Sequence, residues 1–225
     1  MSSETSTEPT LPWDHTPLPK LWLLRHGETE WSRSGQYTGL TDLPLTAKGE
    51  DQARSARPAL AGVVFDLVLS SPLQRARRTA ELAGFPDAIV EPLAHEWDYG
   101  DYEGVNSAEV RRDRPGYLIW NDGVPGGETI EQVAARADAV IDRIRGSWAA
   151  NQKQSSPGGA GAATTEAGEP IRNALVVAHG HFLRILAARW LTLDPREGKH
   201  FVLGTAKVCT LGWDKLTPAI EQWGL

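Results

Sequence analysis

The sequence predicts an α/β fold of three layers, in which helices cover both faces of a mostly parallel central sheet. Two apolar runs, at residues 21–24 and 174–177, indicate strands buried on both faces, and each leads into a His-Gly pair. Strand and helix patterns alternate along the chain, as they do in sheets with crossover helices. Ligands bind at the carboxyl ends of such strands. We therefore expect His26 and His179 to meet at one edge of one sheet.

The segment after the first strand combines a loop and a helix. Residues 31–45 contain several Gly and Pro residues and are predicted to form an irregular loop beside the strand end. Thr46 can cap a helix that runs to about residue 60, where Pro58 predicts a kink or an end.

A second strand and helix follow. The apolar residues 65–69 predict a buried strand. Ser71 can cap the next helix, which should cover residues 72–83 with Pro72 in its first turn. Residues 89–90 fit a short edge strand.

A stretch of mixed acidic and aromatic residues occupies positions 95–104. It has neither a helical nor a strand period, which indicates an ordered loop that lines a site. Asn106 and Glu109 form a variant of the capping box and open a short helix that stops at Pro115.

The second half of the chain begins with a long helix that Thr129 and Gln132 cap. Its apolar positions recur at intervals of three and four and form one stripe toward the core: Ile130, Val133, Ala137, Val140, Ile141, Ile144 and Trp148. The second His strand leads into a helix over about residues 181–191, and two strands follow at residues 208–213 and 219–223.

We expect a single domain over residues 20–225, because a chain of 225 residues can bury about 70% of its unfolded surface. Residues 1–19, rich in Ser, Thr, Glu and Pro, are predicted to be a loose tail. Residues 151–172 contain a Ser-, Gly- and Pro-rich run and are predicted to be a flexible insertion.

Composition argues against several classes of function. The net charge of −6 and the pI near 5.5 disfavour a nucleic-acid surface, although they are compatible with a local cationic pocket. No apolar run approaches the ~18 residues of a membrane span, and the N-terminus lacks the pattern of a signal peptide. The single cysteine, Cys209, cannot form an internal disulfide. We expect a cytoplasmic protein with no nucleic-acid or membrane partner.

The residues at the two strand ends suit phosphoryl transfer. A neutral imidazole held in one tautomer by a carbonyl group is a nucleophile, and His26 is placed for this role. The transition state is stabilised mainly by fixed cations around the equatorial oxygens. Arg25, Arg75 and His179 are the candidates, since arginine forks onto phosphate oxygens and lysine cannot.

A leaving alkoxide also needs a proton. A carboxylic acid that stays partly protonated near neutral pH can supply it. Glu96 lies beside Trp97 in the aromatic stretch, where desolvation would favour the uncharged carboxyl group. We therefore predict that Glu96 is the general acid.

These residues belong to a wider pattern that resembles the histidine phosphatase superfamily, in its phosphoglycerate-mutase-like branch. The stretches that carry the resemblance are Arg25-His26-Gly27-Glu28-Thr29, Tyr37-Thr38-Gly39-Leu40-Thr41-Asp42-Leu43-Pro44-Leu45-Thr46, Ser70-Ser71-Pro72-x-x-Arg75-Ala76-x-x-Thr79-Ala80 and Ala178-His179-Gly180. They stand in the family's order between about residues 21 and 213, and they are specific as a set.

The resemblance implies a role for each candidate. His26 would become the phosphohistidine, Glu96 would match the proton donor, and the phosphate pocket would be completed by Arg25, Arg75 and His179. No metal and no organic cofactor is implied. The implied partner is a small phosphorylated metabolite, and the resemblance leaves open whether the chain forms a homo-oligomer.

Within the family, residues 31–39, 96–104 and 179–181 look like the sub-branch that contains sedoheptulose 1,7-bisphosphatase and related bacterial sugar and acid phosphatases. By that likeness, the expected substrate contacts are Tyr37, Thr38, Gly39, Tyr99 and His181. Sugar phosphates or bisphosphates are the expected substrates, and broad acid-phosphatase activity is the alternative.

Two departures from the family disfavour a phosphoglycerate mutase. Asn121 and Asp122 stand where mutases carry paired arginines for the substrate carboxylate, and Ser32 stands where many members have Asn. Without the arginine pair a phosphoglycerate would be held poorly, so we expect water to end the reaction cycle.

Two hypotheses from other classes remain. A metallohydrolase could use His26, His179 and His181 as ligands, although neither an HxxxH motif nor a carboxylate-rich metal spacing accompanies them. A phosphoprotein-binding module would keep the pocket but lose the acid or the nucleophile, and candidates for both are present. Turnover measured with and without a chelator distinguishes the three.

Overall fold

The structure of the protein is a computed structural model that describes residues 18–154 and 172–225. The strands in these residues are β1 (Lys20–Arg25), β2 (Leu67–Ser70), β3 (Ile89–Val90), β4 (Asn173–Ala178), β5 (Val208–Asp214) and β6 (Thr217–Trp223). They form one sheet in the order β3-β2-β4-β1-β5-β6. The first four strands of that order are parallel, and β5 and β6 are antiparallel additions. The predicted mostly parallel sheet is confirmed.

The helices in the described part of the chain are α1 (Glu30–Ser34), α2 (Ala47–Ser55), α3 (Arg57–Leu60), α4 (Gln74–Ala83), α5 (Ser107–Asp113), α6 (Ile119–Asp122), α7 (Ile130–Gln154) and α8 (Gly180–Trp190). The apolar stripe predicted for the long helix α7 is buried. None of these helices is long and apolar enough to cross a membrane.

Two cores, one on each face of the sheet, produce the three layers. Alternate residues of β1 point to opposite faces, so that Leu23 joins the core with α7 and α8, whereas Leu24 joins the core with α3 and α4. Val176 and Val177 of β4 divide in the same way. Both central strands are therefore buried on both faces, as the apolar runs predicted.

The register of the central strands brings the two His-Gly pairs together. Arg25 of β1 pairs with Ala178 of β4, and the N–H of His26 donates to the Ala178 carbonyl at 2.9 Å. The N–H of Ser71, directly after β2, donates to the Val177 carbonyl at 3.0 Å. Three strands therefore deliver side chains to one edge of the sheet.

The segment predicted as an irregular loop over residues 31–45 contains one helix. Thr29 caps α1 and forms a capping box with Ser32, in which each side chain bonds to the other residue's backbone N–H. A hydroxyl at the third helical position takes the place that Glu or Gln usually fills, and the sequence prediction missed the helix for that reason.

Two helix boundaries also differ from prediction. Thr46 caps α2 as expected, but the helix ends at Ser55, and Pro58 lies in the first turn of the separate helix α3. The helix predicted from residue 72 begins instead at Gln74. The hydroxyl of Ser71 accepts only a long bond from the Leu73 N–H, at 3.3 Å, and is not the helix cap.

The two predicted unstructured segments fall largely outside the described residues. The tail prediction covers residues 1–17 there, and the insertion prediction covers residues 155–171. Residues 151–154 of the predicted insertion belong to α7, so the predicted start of the insertion at residue 151 was wrong.

Candidate active site

A cavity of about 190 Å³ opens at the carboxyl ends of β1 and β4. Its lining residues come from both strand ends, from the segment after β1, from the start of α8 and from the loops that carry Glu96 and Leu203: Arg25, His26, Ser32, Gly35, Gln36, Tyr37, Thr38, Glu96, Tyr99, Gly180, His181, Arg184 and Leu203. Seven of the ten predicted site residues are in this set. The other three, Gly39, Arg75 and His179, do not line it.

His26 is buried with one ring nitrogen fixed. Its Nδ1–H donates to the carbonyl of Gly27 at 2.7 Å, which leaves Nε2 as the unprotonated nitrogen. Burial, followed by the charges of Arg25 and Arg75, lowers the pKa of His26 well below the usual value. The predicted tautomer and charge state of a nucleophile are therefore present. Gly27 has no room for a side chain, because a Cβ there would lie 2.2 Å from the carbonyl oxygen of Gly49.

Arg25 supplies a cation at the cavity wall. Its Nη1 donates to the Leu203 carbonyl at 2.6 Å, while its buried Nε has no hydrogen-bond partner. Burial lowers the pKa of Arg25, and the charge of Glu96 opposes that effect. A Cβ at Gly180 would lie 3.2 Å from Cζ of Arg25, so glycine at this position keeps space around the guanidinium.

His179 differs from prediction, because it is not a cation in this structure. Its Nδ1 accepts a bond from Nε of Arg75 at 3.2 Å, and its Nε2 lies 2.7 Å from the hydroxyl of Ser71, to which it donates. Burial, followed by the charge of Arg75, lowers the pKa of His179 well below the usual value. The ring centroid is 5.2 Å from that of His26. His179 is thus a neutral neighbour of the nucleophile.

Arg75 is fully buried, and most of its donors are occupied by backbone. Besides the bond to His179, its Nη atoms donate to the carbonyls of Thr38, Gly39 and Thr41 at 3.1, 2.7 and 2.9 Å. The predicted phosphate ligand therefore holds the loop that follows Tyr37.

Glu96 lies at the N-terminus of α8 and is 4% exposed. Its carboxylate accepts from the backbone N–H groups of Trp97, His181 and Phe182 at 3.0, 3.1 and 2.9 Å. The predicted burial is confirmed.

An aromatic wall surrounds His181. The rings that lie within 6.3 Å of its centroid belong to Tyr37, Trp97, Tyr99 and Trp120. The hydroxyl of Tyr99 donates to Nδ1 of His181 at 2.6 Å, and burial lowers the pKa of His181 to about 3. His181 is therefore a neutral ring whose Nε2–H can donate to a bound molecule.

His179 has no ring nitrogen left for a metal in this structure, because both of its nitrogens are hydrogen-bonded. Each of His26, His179 and His181 has at least one ring nitrogen in a hydrogen bond, and His179 has both. Over residues 18–154 and 172–225, no three His, Cys, Asp or Glu side chains converge as metal ligands would.

A family model described as the histidine phosphatase superfamily, branch 1, matches residues 21–154 and 159–225. The chain belongs to this superfamily. The resemblance inferred from the strand-end motifs is confirmed.

Its relatives include other phosphatases. An acid phosphatase of Mycobacterium tuberculosis is 38% identical over 208 residues, which cover 92% of each chain. A sedoheptulose 1,7-bisphosphatase of Saccharomyces cerevisiae is 36% identical over 204 residues, covering 80% of this chain and 70% of the relative. The solved structure of an open reading frame from Mycobacterium tuberculosis has a TM-score of 0.78 at 35% identity and covers 92% of this chain and 97% of that chain. The protein is a phosphoric monoester hydrolase of the histidine phosphatase superfamily.

Sequence reasoning about this histidine phosphatase missed Arg184. The side chain lines the cavity, lies over the ring of Trp120 at 4.5 Å, and donates to the carbonyls of Gly198 and Lys199 at 3.0 and 2.9 Å. Burial, followed by repulsion from Arg25, lowers its pKa to about 10, which still leaves it charged at neutral pH. The sequence could have predicted this position, because residues three apart on a helix share a face and Arg184 lies three residues after His181.

Proposed function

We propose that the protein hydrolyses phosphomonoesters of small metabolites through a phosphohistidine on His26, and that sugar bisphosphates are its preferred substrates. The observation that carries the proposal is the bond from Nδ1 of His26 to the Gly27 carbonyl, at 2.7 Å. That bond commits Nε2 to the role of nucleophile, in a cavity that also holds Arg25 and Glu96.

The first half of the reaction forms the phosphoenzyme. Nε2 of His26 attacks phosphorus as the bond to the ester oxygen breaks, and the leaving alkoxide takes a proton from Glu96. The guanidinium of Arg25 offsets the charge on the phosphoryl oxygens. Glu96 must carry a proton for this step.

The second half releases inorganic phosphate. The Glu96 carboxylate takes a proton from water, the water oxygen attacks phosphorus, and the bond from phosphorus to Nε2 of His26 breaks. Each cycle returns the neutral imidazole and the protonated Glu96. His179, whose pKa is lowered by burial and by the charge of Arg75, is neutral and adds no charge that would retain the product.

The preference for bisphosphates rests on Arg184. It shares the cavity with Arg25, and no carboxylate forms an ion pair with it among the described residues. Two cations that repel each other in one cavity favour a substrate with two anionic groups. The sedoheptulose 1,7-bisphosphatase relative acts on a substrate of that kind.

A mutase is the less favoured alternative. The carboxylate of Asp122 accepts from the N–H of Leu118 at 2.7 Å, so the position where mutases carry arginine holds an anion that ends a short helix. Asp122 is exposed and does not line the cavity, so this position offers no cation to a substrate carboxylate.

The test is a side-by-side kinetic panel with sedoheptulose bisphosphate, fructose bisphosphate, phosphoglycerates and an aryl phosphate. We expect the bisphosphates to have the highest kcat/KM, and His26→Ala to abolish turnover of every ester in the presence or absence of a chelator. A kcat/KM for the bisphosphates no better than for the aryl ester would contradict the preference. Near-normal turnover by His26→Ala would contradict the mechanism.

A further inference from the structure

The loop of residues 38–41 is bonded to a carboxylate outside the cavity. The N–H of Gly39 donates to both oxygens of Glu103, at 2.9 and 3.0 Å, and the N–H of Thr41 donates to Oε1 at 3.1 Å. Glu103 does not line the cavity. Among the described residues no Lys, Arg or His forms a salt bridge with it, and its hydrogen bonds come from backbone N–H groups.

One peptide unit connects Glu103 to Arg75. The carbonyl of Thr38 accepts from Nη2 of Arg75 at 3.1 Å, and the N–H of the same peptide, which belongs to Gly39, donates to Glu103. Hydrogen bonds to ionised groups are roughly twice as strong as neutral ones. This peptide is therefore fixed at both ends by opposite charges.

The local sequence is adapted to this contact. A Cβ at Gly39 would lie 2.5 Å from Oε2 of Glu103 and 2.6 Å from the carbonyl oxygen of Trp97, so only glycine lets the loop reach the carboxylate. The next residue along, Gly104, donates its N–H to the Tyr37 carbonyl at 2.8 Å. Glu103 is thus carried by a segment that is itself bonded to the start of the loop.

The loop in turn holds groups close to the nucleophile. Its carbonyls anchor the guanidinium of Arg75, whose Nε bonds to Nδ1 of His179, and the His179 ring lies 5.2 Å from that of His26. If Glu103 releases the loop, Arg75 loses its fixed acceptors and His179 loses its fixed donor.

We propose that Glu103 is a positioning residue for the hydrolysis: it holds residues 38–41 so that Arg75 and His179 keep their places behind His26. The proposal rests on the proposed function where turnover is the readout. It assigns Glu103 no contact with the substrate.

The first experiment compares Glu103→Gln with Asp113→Asn, which removes one negative charge from an exposed position on α5. The amide introduced by Glu103→Gln would set an N–H against the N–H of Gly39, so we expect kcat to fall about tenfold or more. The loss should be equal for sugar and aryl phosphates, because Glu103 acts on the groups beside His26 and not on the leaving group. Glu103→Asp, which keeps an acceptor-only carboxylate, should recover part of the rate, and Asp113→Asn should match wild type.

A double-mutant cycle tests whether Glu103 acts through Arg75. The Arg75→Lys background has already lost the guanidinium that bonds to the loop. In this background we expect Glu103→Gln to lower kcat by less than about threefold. The same loss in both backgrounds would overturn the proposal, as would wild-type turnover by Glu103→Gln with only a lower melting temperature.

A second readout needs no turnover. The ¹⁵N chemical shift of Nδ1 of His179 reports its bond from Arg75, and we expect Glu103→Gln to move it while Asp113→Asn leaves it in place. An unmoved shift would overturn the positioning role even if the enzyme were inactive. Failure of the proposed function is distinct, since it appears as wild-type protein that hydrolyses no ester or does not need His26.

Discussion

The imidazole rings of His26 and His179 lie with their centroids 5.2 Å apart, at the ends of two neighbouring parallel strands. Burial, followed by the charges of nearby arginines, lowers the pKa of both rings well below the usual value. The pair is therefore neutral. One ring bonds to a backbone carbonyl and the other to Arg75 and Ser71, so the two have different hydrogen-bond environments despite similar sequence settings.

Activity should persist at mildly acidic pH. Because the pKa of His26 is lowered, the fraction of neutral imidazole stays constant as pH falls through about 6.5, the usual midpoint of histidine. We expect no fall in kcat/KM from about pH 7.5 to 5.5, after allowance for the substrate's own ionisation near pH 6. A fall in kcat/KM with a midpoint near 6.5 would show that His26 titrates normally.

Replacing Glu96 by Gln should affect substrates according to their leaving groups. The amide cannot donate the proton that an alkoxide needs, and general acids contribute about 10²–10⁴-fold. We expect a loss in that range for sugar phosphates and a much smaller one for aryl phosphates, whose leaving groups need little assistance. The comparison is made within one variant, so folding defects cancel. Equal losses on both ester types count against proton donation.

Replacing Arg184 by Gln should separate bisphosphates from monophosphates. The variant removes the second cation of the cavity, and a charged hydrogen bond of about 1.5–3 kcal/mol corresponds to roughly a 10- to 100-fold rise in KM for fructose bisphosphate. For an aryl monophosphate we expect a change of less than about threefold. Arg184→Lys, which keeps the charge, is the matched control. A parallel loss on both substrates would indicate that Arg184 only supports the fold.

His181 should make folding stability depend on pH. Its pKa is about 3 in the folded protein, against about 6.5 for an unperturbed histidine, so between these values the unfolded chain binds a proton that the folded chain does not. The stabilisation is fully present above pH 6.5 and is lost as pH falls toward 3.

The measurement is the free energy of unfolding of His181→Asn at several pH values. Asn can still accept the Tyr99 hydroxyl, but it does not titrate. Between about pH 6 and 4 the variant should lose stability less steeply than wild type, by about 1.4 kcal/mol per pH unit. The exposed His200→Asn variant is the control and should follow wild type. Parallel curves for His181→Asn and wild type would contradict the buried neutral state.

Sequence patterns that depend on burial predicted the fold, whereas no such pattern predicted some of the contacts in the site. The apolar runs before His26 and His179 predicted the central strands, because a strand buried on both faces cannot carry polar residues. The hydrogen-bond partners of His179 are Arg75 and Ser71, which are remote in sequence and reach it only through the sheet register. No local pattern contains that information.

Arg75 shows the same limit in another form. Sequence reasoning placed it as a phosphate ligand, yet its donors are shared among backbone carbonyls and His179. Every residue type has a backbone carbonyl, so the sequence does not show which loop will accept hydrogen bonds from an arginine. Glu103 was missed as well, because it accepts from backbone N–H groups of the same loop, and any residue type can supply these groups.

The central claim is that Nε2 of His26 carries the phosphoryl group during turnover. It is tested most directly by mixing the enzyme with a ³²P-labelled phosphomonoester, quenching with alkali within the first turnovers, and locating the label on the protein. We predict an acid-labile, alkali-stable phosphoryl group on His26 that wild type forms and His26→Ala does not. Rapid hydrolysis with no labelled protein, or a label on any other residue, would contradict it.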